Sequence, residues 1–449
     1  MAVADPATGR PDEHGPPGVD ELVLDLGRCQ LAAGYPVDDV SATLDKVARA
    51  YGRPDLNIVV LPDAILVDDP RTGRARAIPQ GPNSLRLDQA AVVHEIASQA
   101  RRGELDPAEG VRELEELPYR KPRFPAWVSI LGYGLASAGF ALVFRISPWG
   151  VAIAALGGIF VGWLMFLTRT RPNLAPLVPP MAAAICSFAI FGFANLIDAG
   201  VQPLRVVAAP LITLIPGAAL TRSTQELASG HIISGASRLV ASIVQILMLV
   251  FGVMVGAILA RVSPYDISDL TEQRLPLWVA WLGAAVYAIG QAMAFNEPRG
   301  ALTYVVLLLL LAFSIQQGVA YWVDSVLAAG VAAGVALFVA IVIQDRTQAG
   351  IPAFVLFAPV FWLLVPGSLG FVGITQAIAG TDGADASVSP GDTISLDTLD
   401  FAGTGDVLLL TGASIIAITI GMQIASIAGR MVRKIPDLPT IPLPGAKND

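Results

Sequence analysis

From Ala126 onward the chain is built of apolar runs, each long enough to cross about 30 Å of hydrocarbon, which takes about 20 residues as a helix. Ten such runs recur: Ala126–Phe144, Pro148–Leu167, Leu174–Ile197, Pro203–Leu220, Leu239–Ala260, Leu277–Phe295, Ala301–Gln317, Val319–Ile343, Ile351–Val372 and Val407–Ala428. The fourth and ninth are broken near their ends by Pro-Gly. The first 125 residues follow a different rule. Leu22, Leu26, Cys29, then Val37, Val40, Leu44, Val47 and Ala48 recur at three- and four-residue steps, which predicts two helices split at Gly34-Tyr35-Pro36. Asn57–Leu61, Ala64–Val67 and Arg74–Ile78 read as short strands separated by turn-forming residues. Leu87–Arg101 and Pro107–Leu117 are helical again, the latter opened by an Asp106 cap and a first-turn proline.

The expected fold is therefore a membrane all-α bundle of ten helices, preceded by a small cytoplasmic α+β domain. The expected boundaries are a disordered stretch 1–20, the α+β domain 21–118, membrane segments 119–260 and 277–430, and a tail 431–449.

Composition agrees. The chain is 54% apolar and 15% charged, against about 25% charged for an ordinary soluble domain. Residues 1–125 carry 15 of the 29 basic and 21 of the 37 acidic groups. If the N-terminus is inside, twelve basic residues flank the inner ends of the spans and four flank the outer ends, a positive-inside bias. The longest outer connection, Ile374–Asp406, has six Asp and no Lys or Arg. Both termini are thus expected inside, and the absence of an apolar segment in the first 20 residues argues against a cleaved signal peptide. A net charge of −8 argues against nucleic acid as a partner.

Candidate chemistry in the polar domain is thin. His94-Glu95 lacks the second histidine of a metalloprotease pair, because Ser98 holds that place. Two cysteines, Cys29 and Cys186, fall in different domains. No metal or other cofactor is expected, and no Walker-type phosphate loop is present.

The membrane region is more informative. Ala209–Gly217 in the fourth run echoes Ala358–Gly367 in the ninth, with one residue inserted. The echoes lie five spans apart, an odd number, so a second copy would enter from the opposite side, a 5+5 inverted repeat; the alternative is that two unrelated Pro-Gly breaks mark only helix ends. Proline removes an amide donor and glycine loosens the next position, so helices should break at Pro216-Gly217 and at Pro366-Gly367. Broken helices in matching positions point to a substrate site, with Thr213 placed to contact a substrate hydroxyl or to bond back to its own turn. Asp324 heads the small-residue series Ala328, Ala332, Ala336 and Ala340, which leaves two readings: a carboxylate turned into the bundle and suited to proton coupling, or an acid near the outer interface that stays hydrated. Glu226 falls in an expected amphipathic connector, Thr221–Ala236, as a second proton-coupling candidate. Arg238 enters the fifth span, able to bind a carboxylate or to reach the interface. Glu297 sits at a span end, where a solvated carboxylate is expected.

Leu26–Gly34, Leu44–Gly52, Arg102–Gly110 with Leu114, Pro216-Gly217, Ser234–Leu239 and Val365–Leu369 together resemble the threonine/serine exporter family, over roughly Leu22 to Arg433. The resemblance implies export of small hydroxylated amino acids across a bacterial cytoplasmic membrane, driven by the proton gradient. Substrate, protons and lipid are then the partners, and a homo-oligomer is left open. Two other classes remain at this point: an enzyme or ligand sensor tethered by the spans, and a passive small-solute channel.

Overall fold

The computed structural model describes residues 18–80, 85–197, 203–262, 275–346, 351–364, 375 and 404–432. They fall into two compact units. One comprises residues up to Leu85 together with Val92–Lys121; the other comprises Arg86–Ala91 and everything from Pro122 onward.

In the first unit, α1 (Val19–Ala32) and α2 (Val37–Ala50) form a helical hairpin. The turn needs Gly34 at φ 87°, where the amide of Tyr35 reaches back to the carbonyl of Gln30. Three antiparallel strands follow, β1 (Asn57–Val60), β2 (Ala64–Asp69) and β3 (Arg74–Pro79), in sheet order β1-β2-β3. Ile65 of β2 pairs with Ile78 of β3 and Val67 with Ile58 of β1. Then come α3 (Leu87–Arg102), whose residues up to Ala91 belong to the second unit, and α4 (Pro107–Glu116). Asp106 caps α4, accepting from the amides of Ala108 and Glu109 at 2.9 and 3.2 Å. The core joins Leu22, Leu26, Leu44, Ile65, Val93, Ile96 and Leu114. Each of these large side chains is worth about 1.5–3 kcal/mol in burial. A Cβ on Gly27 would stand 2.7 Å from the Leu44 side chain, so this glycine sets how closely α1 approaches.

The second unit contains α5 (Ala126–Val143), α6 (Pro148–Thr170), α7 (Val178–Ile197), α8 (Pro203–Leu211), α9 (Gly217–Ala228) and α10 (Ile232–Leu259). It continues with α11 (Val279–Ala294), α12 (Ala301–Val319), α13 (Ser325–Arg346), α14 (Ala353–Leu364) and α15 (Thr404–Val432). Seven helices among the described residues are long and apolar enough to cross a membrane, or eight if the bent pair α8–α9 is one span. α11 and α14 are shorter apolar helices. The chain is a multi-pass, mostly helical membrane protein.

Small residues bring these helices together. A Cβ on Gly132 would meet the α11 backbone at Ala294 and Gly290, and one on Gly139 would meet Gly283. Contacts thus descend α11 as they ascend α5, so the two helices run antiparallel. Gly252 and Gly256 of α10 lie against Ala183 and Ala184 of α7 in ascending order, and Gly330 and Gly334 of α13 lie against Ala417 and Gly421 of α15. Both pairs are parallel. Gly158 and Gly162 of α6 seat on Tyr133 of α5, the packing face their spacing predicts.

Candidate functional site

The helix that should break at Pro216-Gly217 does so. α8 gives way to a tighter turn at Ile212–Leu214, Ile215 is extended, and α9 restarts at Gly217. The chain bends by 57° between the two arms. The break leaves main-chain groups without helical partners. One of them, the carbonyl of Leu214, accepts a hydrogen bond from the side-chain amide of Gln245 on α10 at 2.6 Å. Beside it the Thr213 hydroxyl is buried with no hydrogen-bond partner, so the back-bond to the preceding turn is not made. Thr213 and Gln245 both line a cavity of about 370 Å³. Its other walls are Met165 and Thr168 at the end of α6, Pro176 and Val178 leading into α7, and Val244 and Met248 of α10. That volume lies at the small end of the range for ligand pockets, about 300–1,000 Å³.

Beyond the break, α9 runs on to Ala228 and α10 starts at Ile232, so the connector expected over Thr221–Ala236 is largely helical. Glu226 is fully buried. Its carboxylate lies 3.2 Å from Nε of Arg238 and accepts from the Ser234 hydroxyl at 2.8 Å. Arg222 shares the electrostatic field of both. The two candidates are therefore brought together as an ion pair, with Glu226 fully buried and the Arg238 side chain 18% exposed. α9 also packs against α14 and α15.

Of the two readings of Asp324, its exposure agrees with the hydrated acid and not with a carboxylate turned into the bundle. α13 begins at Ser325, after an exposed turn that includes Tyr321 and Trp322, so Asp324 lies just outside the helix. It is exposed, and its carboxylate accepts from the amide of Val326 at 2.8 Å. The side chain caps the helix N-terminus instead of turning into the bundle. The alanine face behind it is buried as predicted: Ala328, Ala332, Ala336 and Ala340 are all inaccessible. Pro366 and Gly367 lie outside the described residues.

One buried charge was not anticipated. Glu297, expected to be solvated, is fully buried, and neither carboxylate oxygen has a hydrogen-bond partner. Burial pushes its carboxyl up to about 8, against the opposing field of Arg123. The sequence signal that could have located it is the neighbouring Asn296, which adopts φ 54° and folds the chain back over the end of α11.

In the N-terminal unit, His94 is engaged with the Tyr35 hydroxyl at 3.2 Å. No cluster of three or more potential metal-ligating side chains occurs among the described residues. Burial pushes the Cys29 thiol up to about 11, so it is held as an inert thiol.

Comparison with known proteins adds a family. The chain is 23% identical over 426 residues to pheromone-regulated membrane protein 10 of Eremothecium gossypii, covering 92% of this chain and 56% of that protein. It is 29% identical over 176 residues to the protein of the same name in Debaryomyces hansenii, covering 38% of this chain and 18% of that one. For the Zygosaccharomyces rouxii protein of that name the identity is 26% over 215 residues, with 47% and 22% covered. The chain thus spans little more than half the length of the first relative and about a fifth of the others. No solved structure matches it. A family model for threonine/serine exporters, ThrE, matches residues 21–260, more than half of the length, and the chain belongs to that family.

Proposed function

We propose that the protein is a secondary exporter of threonine, serine and similar small amino acids, driven by the proton gradient. It would work in a cytoplasmic membrane with both termini inside and ten spans arranged as a 5+5 inverted repeat. The observation that carries this reading is the break at Pro216-Gly217, where an unpartnered Thr213 hydroxyl lines a small cavity. Irregular backbone at membrane depth is tolerated against protein or a water-filled cavity, and paired broken helices mark transporter sites. A zwitterionic amino acid suits such a break. Its carboxylate favours the positive end of α9, its ammonium favours open carbonyls, and its hydroxyl meets Thr213.

The arrangement of neighbours supports the repeat. In the first half α5 packs on α6, α6 on α8, α7 on α8 and α10, and α5 on α8. In the second, α11 packs on α12, α12 on α14, α13 on α14 and α15, and α11 on α14. The same scheme thus recurs five spans on, and the leading helices of the two halves lie antiparallel, as inversion requires. The deciding experiment is uptake of labelled serine and threonine into inverted vesicles with and without a protonophore. Accumulation abolished by the protonophore is expected. Uptake indifferent to it would favour a passive channel, and no uptake would remove the exporter reading.

A further inference from the structure

Among the described residues, three helices of the membrane unit end on a non-glycine residue with positive φ: α5 at Arg145, α10 at Arg261 and α11 at Asn296. In each the following amide reaches back over the last turn, from Ile146 to Ala141, from Val262 to Ala257 and from Glu297 to Ala292. This cap folds the residue after the left-handed position onto the helix end, into a slot that normally receives an apolar side chain. Ile146 and Val262 obey that rule and are buried. The third slot holds a glutamate.

The surroundings supply Glu297 with no compensating donor. The Arg123 guanidinium donates to the main-chain carbonyls of Glu297 and Pro298, at 2.9 and 3.2 Å, so its charge is near but its hydrogen bonds go elsewhere. The Asn296 side chain is held by the Phe124 amide and the Ser129 hydroxyl. At the first turn of α3, Arg86 and Asp88 pair with each other at 2.9 Å while the Asp88 amide bonds the Asn296 carbonyl. On α11, Gln291 donates to the Tyr287 hydroxyl, both are buried, and the Gln291 carbonyl oxygen has no donor. Tyr287 is within electrostatic reach of Glu297, and Arg299, two residues on, is exposed.

An unpaired carboxylate in such a slot is far less stable than the neutral acid. We propose that Glu297 is the proton-binding group of the transport cycle, rather than Glu226 or Asp324. Glu226 already has Arg238 and Ser234 as partners, and Asp324 is committed to a helix cap. In the cycle a carboxylate oxygen of Glu297 takes one proton from water on one side and returns it to water on the other, while one zwitterionic amino acid moves the opposite way. A group ionising near 8 is matched to release at a near-neutral face.

This rests on the exporter reading, and two experiments separate the two. The full chain in lipid vesicles is titrated by infrared spectroscopy, following the C=O stretch of protonated carboxylic acid, in wild type and Glu297→Gln. A band present in wild type, absent in the variant and lost near pH 8 is expected. No difference between them, or a midpoint in the ordinary glutamate range of about 4.3, overturns the proposal. Arg123→Gln, read on a chain that keeps Glu297, raises the midpoint; an unmoved midpoint also counts against the assignment. In transport, Glu297→Gln keeps serine–serine counterflow and loses accumulation driven by a pH gradient, whereas unaltered accumulation overturns it. If wild-type vesicles move neither amino acid, the exporter reading fails while the titration still decides whether Glu297 holds a proton.

Discussion

Glu226 on α9 and Arg238 on α10 form a buried ion pair, 3.2 Å apart, across the hairpin that follows the broken helix. Glu226 is inaccessible and the Arg238 side chain is 18% exposed, so neither charge can be left alone cheaply. Each single charge removal, Glu226→Gln or Arg238→Gln, is expected to destabilise by about 3–5 kcal/mol, the usual cost of stranding one member of a buried pair. The double variant should cost less than the sum of the two. Thermal unfolding of the four proteins measures this coupling. Additive losses would mean that the pair is not an energetic unit and that α9 is fixed by its apolar contacts alone.

Thr213 offers a sharper test of the cavity. Its hydroxyl is buried without a partner, so Thr213→Val removes nothing that stabilises the fold and relieves an unsatisfied group. Stability should hold or rise slightly. If a substrate hydroxyl meets this side chain, KM for serine and threonine should rise about 2- to 13-fold, the equivalent of one lost hydrogen bond of about 0.5–1.5 kcal/mol. Alanine, which lacks the hydroxyl, should be affected less. An equal effect on all three substrates would place Thr213 off the recognition surface.

Much of this was legible beforehand because periodicity and hydropathy report local structure. The α1–α2 split, the three strands and the break at Pro216 each follow from residues within a turn of the feature. The bundle-facing reading of Asp324 fails because Tyr321, Trp322 and Val323 are apolar yet exposed, and hydropathy counts them into a helix that starts only at Ser325. Glu297 was overlooked for the opposite reason. Its distance from the span centre suggests water, but its burial is set by the Asn296 turn and by Arg123, which is 174 residues away in sequence. The pairing of Glu226 with Arg238 depends on how far α9 extends past the break, a tertiary outcome no local window contains.

The glycines at the α5–α11 crossing make a packing prediction. A side chain on Gly139 would strike the Tyr287 backbone and Gly283, where no flexible atom can yield. Gly139→Val should destabilise by at least about 1–3 kcal/mol, and most of the protein should be lost from the folded peak in detergent size-exclusion. Gly192, with nothing within 4 Å of an added Cβ, is the control. Gly192→Ala should be neutral or stabilising by about 0.5–1 kcal/mol, since alanine restricts the unfolded chain. Equal losses at the two positions would rule out the close crossing.

The Glu297 carboxyl also fixes the sign of a stability–pH curve. Its ordinary value is 4.5 and burial in the folded protein raises it to about 8. Between those values the folded chain holds a proton that the unfolded chain has released, so unfolding becomes easier as pH rises. This contribution is fully favourable below about 4.5, fades through the window, and is gone once the pH passes about 8. The slope is bounded by about 1.4 kcal/mol per pH unit from one group. Glu297→Gln has no proton to release, so its advantage over wild type should grow from near zero at the acid end and level off above about 8. Unfolding followed by tryptophan fluorescence at several pH values provides the comparison. Parallel curves for the two proteins would mean that Glu297 reaches water in the folded state, and that the slot at the end of α11 does not hold a neutral acid.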